Sequence, residues 1–163
     1  MAEKVIGGWG VDGNTTFQKG FPVNINASQN QYLSGFGVGT LRPNVVSGVK
    51  KATSGSADAR AKGGWINPGA FSQPAPYTFG SESRVDSSLR AQGIGNYDFA
   101  LFKNTKFGPG EKLGFQFRTE FFNIFNHPQF GPPANSYGAA NFGAVTSQTN
   151  NPRLVQFAAK VLF

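Results

Sequence analysis

Asp98, Arg118 and Glu120 are residue types that can move protons or hold charge. Two carboxylates held together shift one another's ionisation, the basis of general acid–base work. With an arginine between them, the alternative is a charge network. His127 is the only histidine, and a metal site needs several convergent ligands. Neither Cys nor an acidic cluster surrounds it in the chain, so it reads as a loop anchor. Gly35-Phe36-Gly37-Val38-Gly39-Thr40 has the glycines of a phosphate loop without the Gly-Lys-Ser/Thr ending, and reads as loop. Trp65, Phe71, Tyr77 and Phe79 fall in a Gly/Pro/Ser-rich stretch. Two roles are open to them: contacts to a ligand such as a carbohydrate or chelate, or packing of loops and lipid interface. Phe157, Ala159, Val161 and Phe163 alternate to the end of the chain. An apolar strand edge of that kind is a template for strand addition.

The elements that must position these residues have a period of two. Residues 5–17 set Val5, Trp9, Val11, Thr15 and Phe17 against Asp12, Asn14 and Thr16. Residues 96–107 set Tyr97, Phe99, Leu101 and Phe107 against Asn96, Asp98, Asn104 and Lys106. Residues 112–125 set Leu113, Phe115, Phe117 and Phe121 against Lys112, Gln116, Arg118 and Glu120. Residues 153–163 carry the terminal alternation against Gln156 and Lys160. None of the 10 prolines interrupts these stretches, as sheet ladders require. A helix over 113–125 is the competing assignment, and the run of odd-face matches favours a strand.

Strands two and three are joined by the tight turn Gly108-Pro109-Gly110-Glu111, whereas residues 18–95 and 126–152 are long connections. Phe142-Gly143-Ala144-Val145 is expected to be a short extended piece beside strand four. Short turns at one end and long loops at the other are the habit of outer-membrane barrels. Even pairing sums across the turn keep odd faces together. A sum of 218 would stack Lys106 on Lys112 and Asp98 on Glu120, so 220 is expected, with Phe107 beside Leu113. Lys103 interrupts the apolar face, at about 2–4 kcal/mol in mid-bilayer unless it snorkels. The expected fold is all-β: an antiparallel up-and-down meander of about four to six strands with long loops, an incomplete piece of a large transmembrane barrel.

Composition narrows the classes further. Of 163 residues, 14% are charged, against about 25% in ordinary soluble domains, and 17 are Phe. That aromatic content excludes a disordered basic tail. The absence of Cys excludes a disulfide scaffold or Cys-ligated zinc. No run reaches the ~18 apolar residues of a membrane-spanning helix. The +7 net charge is dispersed, and its one cluster (Lys50, Lys51, Arg60, Lys62) lies in loop, which argues against nucleic acid and suits lipopolysaccharide or solvent. The first residues show no secretory signal. Taken alone, that points to the cytoplasm; the alternative is the tail of a longer protein.

The segment 95–104, the run Phe117-Arg118-Thr119-Glu120-Phe121-Phe122-Asn123-Ile124-Phe125-Asn126-His127-Pro128-Gln129-Phe130-Gly131, the tripeptide Asn141-Phe142-Gly143 and the ending 152–163 resemble TonB-dependent outer-membrane receptors. The group with a carboxypeptidase-regulatory-like N-terminal domain is the nearest in style. Gly8-Trp9 followed by Phe21-Pro22 resembles it more loosely. The resemblance implies a barrel of about 22 strands, a plug within it and import energised by TonB. It also implies that Phe157, Ala159, Val161 and Phe163 are the C-terminal signal read by the barrel assembly machinery. This chain has no plug or TonB box, so the expectation is a C-terminal barrel segment. Its partners would be outer-membrane lipid, the rest of barrel and plug, and TonB only through that plug. No cofactor, metal or enzymatic activity is expected. The alternative from another class is a self-contained soluble β-sandwich for adhesion or carbohydrate binding.

Overall fold

The computed structural model describes residues 5–27, 40–53 and 64–163. The Gly-rich run 35–39 and the basic residues Arg60 and Lys62 lie outside the described residues. Among the described residues eight strands occur in chain order: β1 Trp9–Gln18, β2 Asn26–Ala27, β3 Asn44–Val45, β4 Phe71–Ser72, β5 Ile94–Phe107, β6 Leu113–Phe122, β7 Ser136–Tyr137 and β8 Leu154–Leu162. They divide between two compact units.

Unit one comprises residues 1–18, 94–128 and 150–163 and holds one sheet, ordered β1-β5-β6-β8. Every neighbour is antiparallel, so the path is the expected up-and-down meander. The register across the tight turn sums to 220, with Phe107 opposite Leu113, Leu101 opposite Thr119 and Phe102 opposite Arg118. Avoiding like-charge cross-strand pairs is the physical reason to prefer it. The turn is a short 3-10 segment, Pro109–Glu111, entered through Gly108 at φ 82.

Three boundaries differ from expectation by two residues or more. Residues 5–8 are not strand, and Gly8 turns the backbone at φ 77. β5 begins two residues early, at Ile94. β6 stops at Phe122 because Asn123 takes φ 52, a left-handed geometry that Asn tolerates better than most residues.

The chain leaves the sheet at Gln18 and returns at Ile94, which is its register partner. It leaves again at Phe122 and returns at Leu154, also partners. Both long connections therefore spring from the same end of the sheet, opposite the tight turn. One row across the odd face reads Gly13, Phe99, Phe121, Val155; the next reads Val11, Leu101, Thr119, Phe157. The even face carries Asp12, Ala100, Glu120 and Gln156 in one row.

Unit two comprises residues 19–93 and 129–149. Sequence reading expected open loop here; the structure has a packed core instead. β2 pairs in parallel with β7, and β3 pairs antiparallel with β4. Ile25, Ile66, Phe71, Leu89 and Phe142 are buried together, with Trp65 and Tyr137 packed against them. The piece expected to be extended, 142–145, is instead a turn with Gly143 at φ 76, and Phe142, Ala144 and Val145 are buried. Its apolar side chains pack into unit two's core, so a strand beside β8 is not what they build.

Candidate functional site

The odd face of the sheet is an apolar band with aromatic rings near both ends. Phe17, Tyr97 and Phe125 stack edge to face near the loop end, with centroids 5.4 and 5.0 Å apart. Trp9, Phe107 and Phe115 lie nearer the turn end, and Phe163 is fully exposed. From Tyr97 to Phe107 is ten residues, or about 26 Å along the membrane normal at ~3.4 Å per residue and a strand tilt near 40°. That matches the height of about 25 Å for the lipid-facing band of a barrel.

Lys103 now has its explanation. Its Nζ donates to the Val5 carbonyl at 2.6 Å and sits 4.7 Å from the centre of the Trp9 ring. The ammonium thus reaches along the wall toward backbone acceptors at the turn-end aromatics, as a snorkelling lysine does.

Asp98, Arg118 and Glu120 share the even face but do not form an acid–base pair. Arg118 Nε lies 2.7 Å from Glu120 Oε1, close enough for charge attraction although not aligned as a hydrogen bond. Asp98 is committed elsewhere: Oδ1 accepts the Asn123 amide at 2.9 Å and Oδ2 accepts Asn96 Nδ2 at 2.9 Å. The arrangement is a charged and polar lining.

The signature run Asn123–Pro128 forms a knot at the loop end of the sheet. Buried Asn123 donates through Nδ2 to the carbonyls of His127 and Asn151, both at 3.2 Å, and accepts the His127 amide at 2.9 Å. Asn126 Oδ1 accepts the Arg153 amide at 2.9 Å. His127 serves through its backbone, whose carbonyl also accepts Asn150 Nδ2. Sequence reading missed Asn123 and Asn126. Paired Asn residues after a strand, at positions that favour positive φ, are the signal that would have marked them.

In the terminal strand, Phe157 faces Thr119, Ala159 faces Phe117, and Val161 faces Phe115. The Phe157 and Phe117 rings stack at 6.4 Å. Phe163 lies one residue past the end of β8. β8 is an edge strand, paired on one side only among the described residues.

The four loop aromatics separate into two pairs. Phe71 is buried in the core of unit two and Trp65 packs against it, which is the loop-packing role of the two that the sequence left open. Trp65 Nε1 donates to the Arg90 carbonyl at 2.7 Å, and Phe71 packs edge-on to Phe142 at 5.9 Å. Both are large apolar groups flanked by other core residues, so burial outweighs exposure for them. Tyr77 and Phe79 remain exposed, at 66% and 67%.

Phe79 lines a cavity of about 500 Å³ in unit two, with Arg42 and Arg84 on its walls. The walls are three backbone strips: the Ala27 amide donates to the Leu41 carbonyl, and the Glu82 amide to the Pro43 carbonyl. Ser81 adds two more links, accepting the Val45 amide and donating its own to Asn44 Oδ1. Gly80 presses so closely on this strip that a Cβ would fall 1.9 Å from the Arg42 carbonyl oxygen. Behind it, Lys51 donates to Glu82 Oε2 at 2.7 Å and to Asp86. Burial works to raise the Asp86 carboxyl, but hydrogen bonds from Lys51 and Ser88 prevail and hold it down at about 2. Burial likewise works to lower the Lys51 ammonium, and its two carboxylate partners raise it overall.

A single open antiparallel sheet, apolar and aromatic-banded on one face and polar on the other, with its long connections at one end, defines a wall segment of a membrane β-barrel. The family described as an outer membrane beta barrel domain matches residues 1–156, and this chain belongs to it. No match was found among curated proteins or among solved structures. Membership locates the chain in the outer membrane and sets aside the soluble β-sandwich and the cytoplasm.

Proposed function

We propose that this chain is the C-terminal wall and external-loop portion of a TonB-dependent receptor, contributing to energised uptake of a ligand across the outer membrane. The observation that carries the reading is the departure and return of both long connections at register partners on one end of the sheet. A chain threaded so has both long connections leaving from one end of the wall, the end at which a barrel's long loops meet the exterior. The signature residues from Phe117 to Gly131 supply the family likeness. In this reading the chain performs no reaction. The odd face meets lipid, and the open edges of β1 and β8 pair with the rest of the barrel, whose plug makes the TonB contact. Phe157, Ala159, Val161 and Phe163 serve the barrel assembly machinery.

Affinity capture tests the reading. The whole outer-membrane protein containing this segment, solubilised in detergent, is expected to be retained by the periplasmic domain of TonB. Absence of retention, with the protein folded, overturns TonB coupling. Deletion of Phe163 is expected to reduce insertion into the outer membrane, and unimpaired insertion would dispose of the assembly signal.

A further inference from the structure

The cavity beside Phe79 has chemistry that neither the wall nor the core requires. Among the described residues that line it are two guanidiniums, Arg42 and Arg84, and no carboxylate. The acidic residues nearest Arg84 in the chain, Glu82 and Asp86, both pair with Lys51, and neither lines the cavity. The cavity therefore keeps two positive charges whose planar, forked donors suit carboxylate, sulfate or phosphate oxygens. Asn24, Asn26 and Thr40 add uncharged donors and acceptors around them. Phe79 stands exposed on the rim, next to a glycine whose position the Arg42 carbonyl dictates. An aromatic face held on a rigid strip is a platform for a ring, and a small inorganic anion would leave it unused. The volume of about 500 Å³ falls within the range of roughly 300–1,000 Å³ typical of small-molecule sites.

We propose that this cavity binds an acidic saccharide, its carboxylate between Arg42 and Arg84, its hydroxyls on the Asn and Thr groups, and one pyranose face against Phe79. The assignment deepens the uptake reading and rests on it for the placement of unit two outside the cell. In binding, the anion exchanges water for two charge-assisted pairs, and affinity falls with added salt.

The test uses the whole outer-membrane protein, in sealed outer-membrane vesicles and in detergent, with fluorescent trigalacturonate as probe and neutral maltotriose as control. Saturable binding of trigalacturonate and none of maltotriose is expected. Arg42→Gln or Arg84→Gln should each weaken binding roughly tenfold or more, the loss expected for one charge-assisted pair. Phe79→Ala should weaken it about fivefold or more, and Lys50→Gln, outside the cavity, should leave it unchanged. The Arg→Lys variants, which keep charge and fold but lose the fork, should fall between. No saturable binding by the wild type, equal binding of maltotriose, or retention by the Arg42→Gln/Arg84→Gln double variant overturns the site. Indifference to Phe79→Ala overturns the saccharide half of the assignment. Binding in detergent but not in sealed vesicles supports the site and overturns the exterior placement. Vesicles carry no energised TonB, so failure of TonB capture leaves this result unaffected.

Discussion

Replacing Asn123 separates two forces that meet at one residue. Its side chain makes three hydrogen bonds, to the His127 amide and to the carbonyls of His127 and Asn151. At a net ~1 kcal/mol each, their loss costs about 3 kcal/mol, the His127 amide losing its acceptor. Its backbone sits at φ 52, where alanine pays about 1 kcal/mol more than asparagine and glycine pays nothing steric. Glycine adds about 0.5 kcal/mol of unfolded-state entropy, so Asn123→Ala is expected to cost about 4 kcal/mol and Asn123→Gly about 3.5. This inverts the usual order, in which glycine is the less stable of the two by its unfolded-state entropy. Asn123→Asp keeps one acceptor and the backbone preference but loses both donated bonds, so about 2 kcal/mol is expected. Urea titration of the bilayer-inserted protein, followed by the mobility difference between folded and heated forms, reads all three. An alanine variant as stable as the glycine variant refutes the backbone argument. Losses below about 1 kcal/mol in every variant refute the hydrogen-bond argument.

Phe142→Ala should destabilise unit two by about 3–5 kcal/mol, since the ring is buried edge-on to Phe71 and Tyr137. Protease cleavage confined to residues 19–93 and 129–149 of the inserted protein would register it. The lowered Asp86 carboxyl contributes about 2 kcal/mol above pH ~4, and that contribution is lost as pH falls through about 2. The raised Lys51 ammonium contributes below its ordinary value and loses that contribution as pH rises past its folded value. Urea midpoints of wild type and Asp86→Asn should therefore converge toward pH 2 and differ most near neutrality. Lys103→Glu removes the donor to Val5 and sets a carboxylate against that carbonyl on the lipid face, for an expected loss of about 2 kcal/mol. Lys103→Met, which keeps the apolar stem, should cost no more than about 1 kcal/mol in the same titration.

Alternation along β1, β5, β6 and β8 was legible because a sheet with unlike faces writes its period into the chain. Even the pairing of β5 with β6 could be chosen from the sequence, since one register stacked like charges and the other did not. The positions of Trp65 and Phe71 were not legible. An aromatic in a Gly/Pro-rich stretch carries no period, and only the tertiary fold shows whether other side chains close around it.

What the sequence alone determined was the membrane-wall class, through residue type and spacing along single strands. The cavity between Arg42 and Arg84, the triad of Lys51, Glu82 and Asp86, and the Asn123 knot depend on residues far apart in the chain. Such contacts are set by the path of the whole backbone, which no local pattern records. Lys103 shows the division within one side chain: its sequence made it a flaw in the apolar face, and Trp9 with the Val5 carbonyl made it an anchor.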